Sequence, residues 1–98
     1  MSLRQHQSEF AKKVPLLILY AYSLGYEVTI GDVWAKDGHR RGSFHYKKLA
    51  IDLNLFKNGK YLRKTSDHKP LGLFWESIGG SWGGRWKDGN HYSWGESR

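Results

Sequence analysis

The chain has 98 residues, of which 39% are hydrophobic and 15% aromatic, so its composition is that of one small globular domain and not of a disordered protein. It contains no cysteine, which excludes disulfides and thiolate metal sites, and any bound metal must be held by His, Asp or Glu. Sixteen Lys and Arg residues against nine Asp and Glu residues give a net charge of +7, which favours a polyanionic partner.

The first predicted element is a helix. Apolar residues recur at helical spacing over about residues 5–24, with Gly25 as the stop. Pro15 either kinks this helix or opens its second half. The apolar run Val14–Ala21 is too short to span a bilayer, and no signal-peptide cleavage site follows it. We therefore expect no membrane span and no export signal.

Three strands are predicted next. The alternating segment Tyr26–Trp34 indicates a first strand, and a basic, glycine-punctuated loop separates it from a second strand at Leu49–Phe56. An Asn-Gly turn within residues 57–60 then predicts a hairpin that leads to a third strand at Tyr61–Arg63.

A second helix is predicted to begin at Ser66 or Asp67 and to end before Gly79. Residues 79–89 are rich in glycine and tryptophan and predict a loop, and Asn90–Trp94 predicts a last strand. This order of elements favours an α+β fold in which helices flank a small, mainly antiparallel sheet. We expect residues 1–98 to form a single compact domain.

Asp52 stands inside an apolar run of the second strand. Side chains alternate along a strand, so Ile51 and Leu53 share one face and Asp52 points to the other. Burying a carboxylate costs several kcal/mol unless a positive charge holds it. Asp52 is therefore either a solvent-facing residue or part of a charged site.

Two histidines and a second aspartate can be grouped with Asp52. His45 precedes it by seven residues, and Asp88 stands three residues before His91 at the entry to the last strand. Two histidines and one carboxylate suit tetrahedral Zn²⁺ with one position open for water, which leaves Asp88 as a general base. The spacing alone does not identify a metal site, and the alternative for His91 is a surface imidazole stacked among aromatic residues.

The motif Ser43-x-His45-x6-Asp52, followed by Asp88-x-x-His91, resembles the zinc peptidases that act on peptidoglycan stem peptides. This family includes D-alanyl-D-alanine carboxypeptidases and dipeptidases, and the phage endolysins that cut L-alanyl-D-glutamate bonds. The segment WESIGGSWGGRWKDGNHY is similar to the endolysin branch, in which a Trp-Gly-Gly-x-aromatic stretch precedes the second motif.

The resemblance implies one zinc ion per chain. Its ligands would be His45, Asp52 and His91, with Asp88 as the catalytic carboxylate and Ser43 supporting the substrate or a ligand. A zinc ion bound there would offset the negative charge of Asp52.

Other site residues follow less directly from the resemblance. Many members carry an arginine after an aromatic residue before the first motif, where it helps to polarise the scissile carbonyl group. This chain has none there, so either Arg40 or Arg41 takes that role or the function is absent. Trp82 and Trp86 either form one wall of the substrate groove or pack in the core.

The implied activity is zinc-dependent hydrolysis of a peptide bond in peptidoglycan stem peptides. The L-alanyl-D-glutamate bond is the first expectation, and a D-alanyl-D-alanine carboxypeptidase is the alternative. We expect a monomer without a separate wall-binding domain and without a specific nucleic-acid partner. The protein should stay in the cytoplasm until lysis. It should then adsorb to anionic wall polymers and act on the cell wall. Two other classes stay open: a non-catalytic basic module for nucleic acid or wall polymer, and a wall-binding protein that kept the zinc without activity.

Overall fold

The computed structural model describes residues 2–31 and 48–95, and all elements named below lie in that part of the chain. They are α1 Leu3–Ser23, β1 Glu27–Ile30, β2 Ala50–Lys57, β3 Lys60–Leu62, the 3-10 helix η1 Thr65–His68, α2 Lys69–Ser77, β4 Gly80–Trp82, the 3-10 helix η2 Gly83–Trp86 and β5 His91–Trp94. Two α-helices and a five-stranded antiparallel sheet give an α+β architecture, which confirms the predicted fold class. None of the helices in this part of the chain has the length and apolarity needed to cross a membrane.

The sheet is organised around β2. Its order is β1-β2-β5-β4, and β3 also pairs with β2. β1 pairs along residues 53–56 of β2 and β3 along residues 55–57, whereas β5 pairs along residues 50–52. Residues 50–52 of β2 and 91–93 of β5 therefore lie side by side at the centre of the sheet.

One face of β2 forms the floor of the hydrophobic core. Leu49, Ile51, Leu53 and Leu55 are all at most 4% exposed, so the predicted alternation of the second strand is confirmed. Side chains of both helices pack on this face. They include Phe10, Leu17 and Ala21 of α1, and Leu71 and Trp75 of α2.

Helix α1 begins at Leu3, two residues before the predicted start. Ser2 explains the earlier start because its hydroxyl accepts a hydrogen bond of 3.1 Å from the Gln5 amide, while the Gln5 side chain accepts one of 2.8 Å from the Ser2 amide. The helix continues through Pro15 and ends before Gly25, whose φ of 86° is the left-handed conformation expected of a glycine stop.

The predicted hairpin between the second and third strands is confirmed. Asn58 and Gly59 both have positive φ, at 53° and 77°, as a two-residue turn with a matching twist requires. Within the first predicted strand, Tyr26–Trp34, the structure shows β1 at Glu27–Ile30, and residues 32–34 lie outside the described part of the chain.

The prediction of a loop across residues 79–89 was wrong in part, because this segment contains β4 and η2. Its glycines serve close packing. A methyl group on Gly80 would overlap the indole of Trp75, and one on Gly84 would overlap the indole of Trp82. Composition suggested flexibility, whereas the glycines let backbone lie directly against buried indoles.

Candidate active site

Strands β2 and β5 bring Asp52 and His91 together. The two residues are direct partners across the antiparallel ladder, and their side chains point away from the core because Ile51 and Tyr92 beside them face it. His91 Nδ1 lies 3.6 Å from Asp52 Oδ1, and the two side chains are 9% and 20% exposed. The pair thus occupies a largely buried position that still opens to the surface.

The separation within this pair fits two ligands of one metal ion. At 3.6 Å it is longer than an ordinary N–H···O hydrogen bond, which spans about 2.7–3.2 Å. Zinc–ligand distances of about 2.0–2.2 Å place neighbouring ligand atoms of a tetrahedral site about 3.4 Å apart. An imidazole nitrogen and a carboxylate oxygen are also donors that zinc prefers, so Asp52 and His91 fit two of its positions.

Asp88 stands next to this pair on a tight turn. Its Oδ2 lies 4.0 Å from His91 Nδ1, and its side chain is 53% exposed. The turn is closed by the His91 amide, which donates to the Asp88 carbonyl oxygen at 3.1 Å, and the Asp88 amide donates to the Gly83 carbonyl oxygen at 2.9 Å. The backbone therefore presents the Asp88 carboxylate beside the pair, where water and substrate can reach it.

Glycines and a buried tryptophan fix that turn, and sequence reasoning did not assign them this role. A methyl group on Gly83 would lie 2.8 Å from His91 Cβ, and one on Gly89 would lie 2.6 Å from Thr65 Cα. Trp82 Nε1 donates a hydrogen bond of 2.8 Å to the Gly89 carbonyl oxygen. The only signal in the sequence was the recurrence of glycine on both sides of Asp88.

The two tryptophans predicted as groove or core residues lie in different environments. Trp82 is 5% exposed and belongs to the hydrophobic core, which favours the packing alternative for this residue. Trp86 is half-buried and its ring meets the His91 ring edge to face, with centroids 6.1 Å apart. Trp86 is thus the tryptophan that lies beside the pair of Asp52 and His91.

Four of the predicted site residues, Arg40, Arg41, Ser43 and His45, lie outside the described residues. Within residues 2–31 and 48–95 there is no group of three or more His, Cys, Asp or Glu side chains arranged to hold a metal. The described part of the chain therefore supplies Asp52 and His91, and the third expected ligand, His45, belongs to the segment that is not described.

A second polar pair lies on the core side of β5. His68 Nδ1 and the Tyr92 hydroxyl are joined by a hydrogen bond of 2.8 Å, and both residues are buried. Burial raises the pKa of Tyr92 well above its usual value. Burial also lowers the pKa of His68, against a weaker raising effect of Asp67. Both groups are thus kept neutral, and nothing in the sequence indicated that these two residues meet.

Comparison with known proteins places the chain in a family. A family model described as D-alanyl-D-alanine carboxypeptidase matches residues 36–94, which is more than half of the chain and spans both motifs. The chain belongs to this family of peptidases. A search of curated proteins found no match. The peptidase class predicted from Ser43-x-His45-x6-Asp52 and Asp88-x-x-His91 is thereby confirmed at the level of the family.

Proposed function

We propose that this protein is a zinc-dependent peptidase that cleaves the L-alanyl-D-glutamate bond of peptidoglycan stem peptides. Membership of a carboxypeptidase family that is generally zinc-dependent supports the reaction class and the metal. The observation that carries the assignment of residues is the meeting of Asp52, His91 and Asp88 around His91 Nδ1, at 3.6 and 4.0 Å. The similarity of residues 75–92 to the endolysin branch supports the choice of bond.

In this proposal Asp52, His91 and His45 hold the zinc ion. Zinc in such a setting supplies Lewis-acid chemistry that acidifies water to a pKa of about 7 and polarises a carbonyl group. Asp52 is fixed for its task by its ladder partner on one side and by the Gly31 amide, which donates to the Asp52 carbonyl oxygen at 2.8 Å, on the other.

Asp88 has the position of a general base. Its carboxylate lies beside His91 but is more than twice as exposed as that of Asp52, so it can reach water without replacing a ligand. It would accept the proton of the attacking water and return it to the leaving amine. The ring of Trp86, which flanks His91, would form one wall for the bound peptide.

The description of the matching family favours one other specificity, D-alanyl-D-alanine carboxypeptidase. Digestion of purified peptidoglycan, followed by mass spectrometry of the new termini, separates the two. New C-terminal L-alanine paired with new N-terminal D-glutamate is the expected result. Release of free D-alanine would instead show D-alanyl-D-alanine carboxypeptidase activity. The absence of any new terminus would refute a peptidase acting on peptidoglycan.

Substitution of Asp88 tests the mechanism. Asp88→Asn keeps the size of the side chain but removes its basicity, so hydrolysis should fall by about 10²–10⁴-fold, the usual contribution of general acid–base help. Zinc content and melting temperature should stay unchanged because Asp88 is not a ligand in this proposal. Asp88→Glu restores a base and should recover part of the activity. An Asp88→Asn variant that hydrolyses at the wild-type rate would remove Asp88 from the mechanism.

A further inference from the structure

The face of the sheet that carries Asp52 continues away from the candidate site along β2. Asn54 and Phe56 follow Asp52 at alternate positions and therefore point to the same side. The ladder places Thr29 of β1 opposite Asn54, and it places Glu27 of β1 and Tyr61 of β3 opposite Phe56. With the residue that follows β3, these side chains form what we call the outer strip: Glu27, Thr29, Asn54, Phe56, Tyr61 and Arg63.

Hydrogen bonds hold the polar centre of the outer strip. Asn54 Nδ2 donates to Thr29 Oγ1 at 3.2 Å, and the Tyr61 hydroxyl donates to Asn54 Oδ1 at 3.4 Å. These contacts fix the orientation of the Asn54 amide, which has a second N–H donor and a second acceptor lone pair. The half-buried amide therefore presents a fixed donor and acceptor on this face.

The far end of the outer strip is aromatic. The rings of Phe56 and Tyr61 lie 5.2 Å apart with planes inclined by 33°, and Tyr61 is 45% exposed. The guanidinium carbon of Arg63 lies 5.5 Å from the centre of the Tyr61 ring, which keeps a positive charge at that end. The pair offers a broad apolar surface with polar groups at its margins.

We infer that the outer strip binds the glycan of peptidoglycan next to the cleaved bond, an inference that rests on the proposed function. A sugar ring has an apolar C–H face that can lie on an aromatic ring, and hydroxyl and amide groups around its edge that pair with fixed donors and acceptors. The rings of Tyr61 and Phe56 supply the aromatic surface, and the Asn54 amide supplies the hydrogen-bond donor and acceptor.

The distances along β2 agree with this occupant. At a rise of about 3.3 Å per residue, Asn54 lies about 7 Å and Phe56 about 13 Å from Asp52. In an L-alanyl-D-glutamate bond, a single alanine of about 3.5 Å separates the scissile bond from the group that joins the stem to its sugar. The sugar ring then falls within the outer strip. At the D-alanyl-D-alanine bond, four residues place the sugar more than about 14 Å away, beyond Phe56.

Binding of peptide-free glycan strands tests the inference without any need for catalysis or metal. Wild-type protein titrated with these strands should show binding by NMR. Tyr61→Ala should weaken it by about 2- to 10-fold, as the loss of one aromatic contact predicts. Tyr22→Ala is the matched control, because Tyr22 is 50% exposed on α1 and the helices pack against the opposite face of the sheet. No binding by the wild type, or equal weakening in both variants, would overturn the inference.

Kinetics on two substrates give a second, independent readout. Tyr61→Ala should lower kcat/KM on intact peptidoglycan by a similar factor and leave hydrolysis of the sugar-free stem peptide unchanged. Equal losses on the two substrates would overturn the inference, since Tyr61 would then act through the fold. Glycan binding that depends on Tyr61 in a protein that hydrolyses neither substrate would support the outer strip while refuting the proposed function. Glycan binding that falls steeply with salt concentration and is unchanged by Tyr61→Ala would be due to the net charge of the protein, and it would overturn the inference.

Discussion

Replacing Gly83 with alanine tests whether the packing beneath η2 positions the candidate site. A methyl group at Gly83 would overlap the carbonyl oxygen of Asp88 and lie 2.8 Å from Cβ of His91. Neither neighbour is the end of a flexible side chain, so the turn that carries Asp88 must move. Overpacking costs about 1–3 kcal/mol, and we expect about 3 kcal/mol here because one neighbour is backbone. For a domain of this size, the melting temperature should then fall by roughly 12–24 °C.

Gly59→Ala provides the matched control. Gly59 has a φ of 77° and nothing within 4 Å of an added methyl group, so alanine there meets only left-handed strain of about 1 kcal/mol. Thermal unfolding followed by circular dichroism should rank wild type above Gly59→Ala, and Gly59→Ala well above Gly83→Ala. At a temperature where all three are folded, only Gly83→Ala should lose peptidoglycan hydrolysis. A Gly83→Ala protein as stable as Gly59→Ala would refute this account of the turn.

Three further predictions concern metal, groove and pH. His45→Ala and His91→Ala should each lose zinc, and full occupancy in either variant by elemental analysis would contradict the ligand set. Trp86→Ala should lower kcat/KM on peptidoglycan while the melting temperature stays close to that of the wild type. A large fall in melting temperature that accounts for the lost activity would mean that the ring serves packing. Because burial lowers the pKa of His68, the unfolded chain takes up a proton at a higher pH than the folded chain does, so the free energy of unfolding should decrease as pH falls below about 6.5. His68→Gln should flatten this dependence in chemical denaturation series, and an unchanged slope would show that another group is responsible.

Features set by neighbouring residues could be predicted from the sequence. The alternation around Asp52 gave both the buried face of β2 and the direction of the carboxylate, since period and burial are coupled within one strand. The Asn58-Gly59 turn was predictable for the same reason, because its conformation depends on two adjacent residues. The two-part motif identified the peptidase family, which the family match confirms.

Features that depend on contacts between distant segments could not be predicted. Gly80 and Gly84 look like flexible loop residues until the indoles of Trp75 and Trp82 are in place against them. The buried pair of His68 and Tyr92 joins a helix start to a strand, and no local pattern encodes that meeting. Side chains of this kind are selected by shape and hydrogen bonding across the fold, which composition and periodicity do not record.

The ladder between β2 and β5 couples the packing of the core to the alignment of Asp52 with His91. Ile51 pairs with Tyr92 on the core face, and Asp52 pairs with His91 on the other, so both pairings share one register. A slip of one residue would turn Asp52 into the core and expose Ile51 or Leu53, at about 1.5–3 kcal/mol for each apolar side chain. A chain that misaligned Asp52 and His91 would therefore also lose the burial of its core. Exposed residues farther along the outer face can change in contrast, while the core keeps Asp52 and His91 in register.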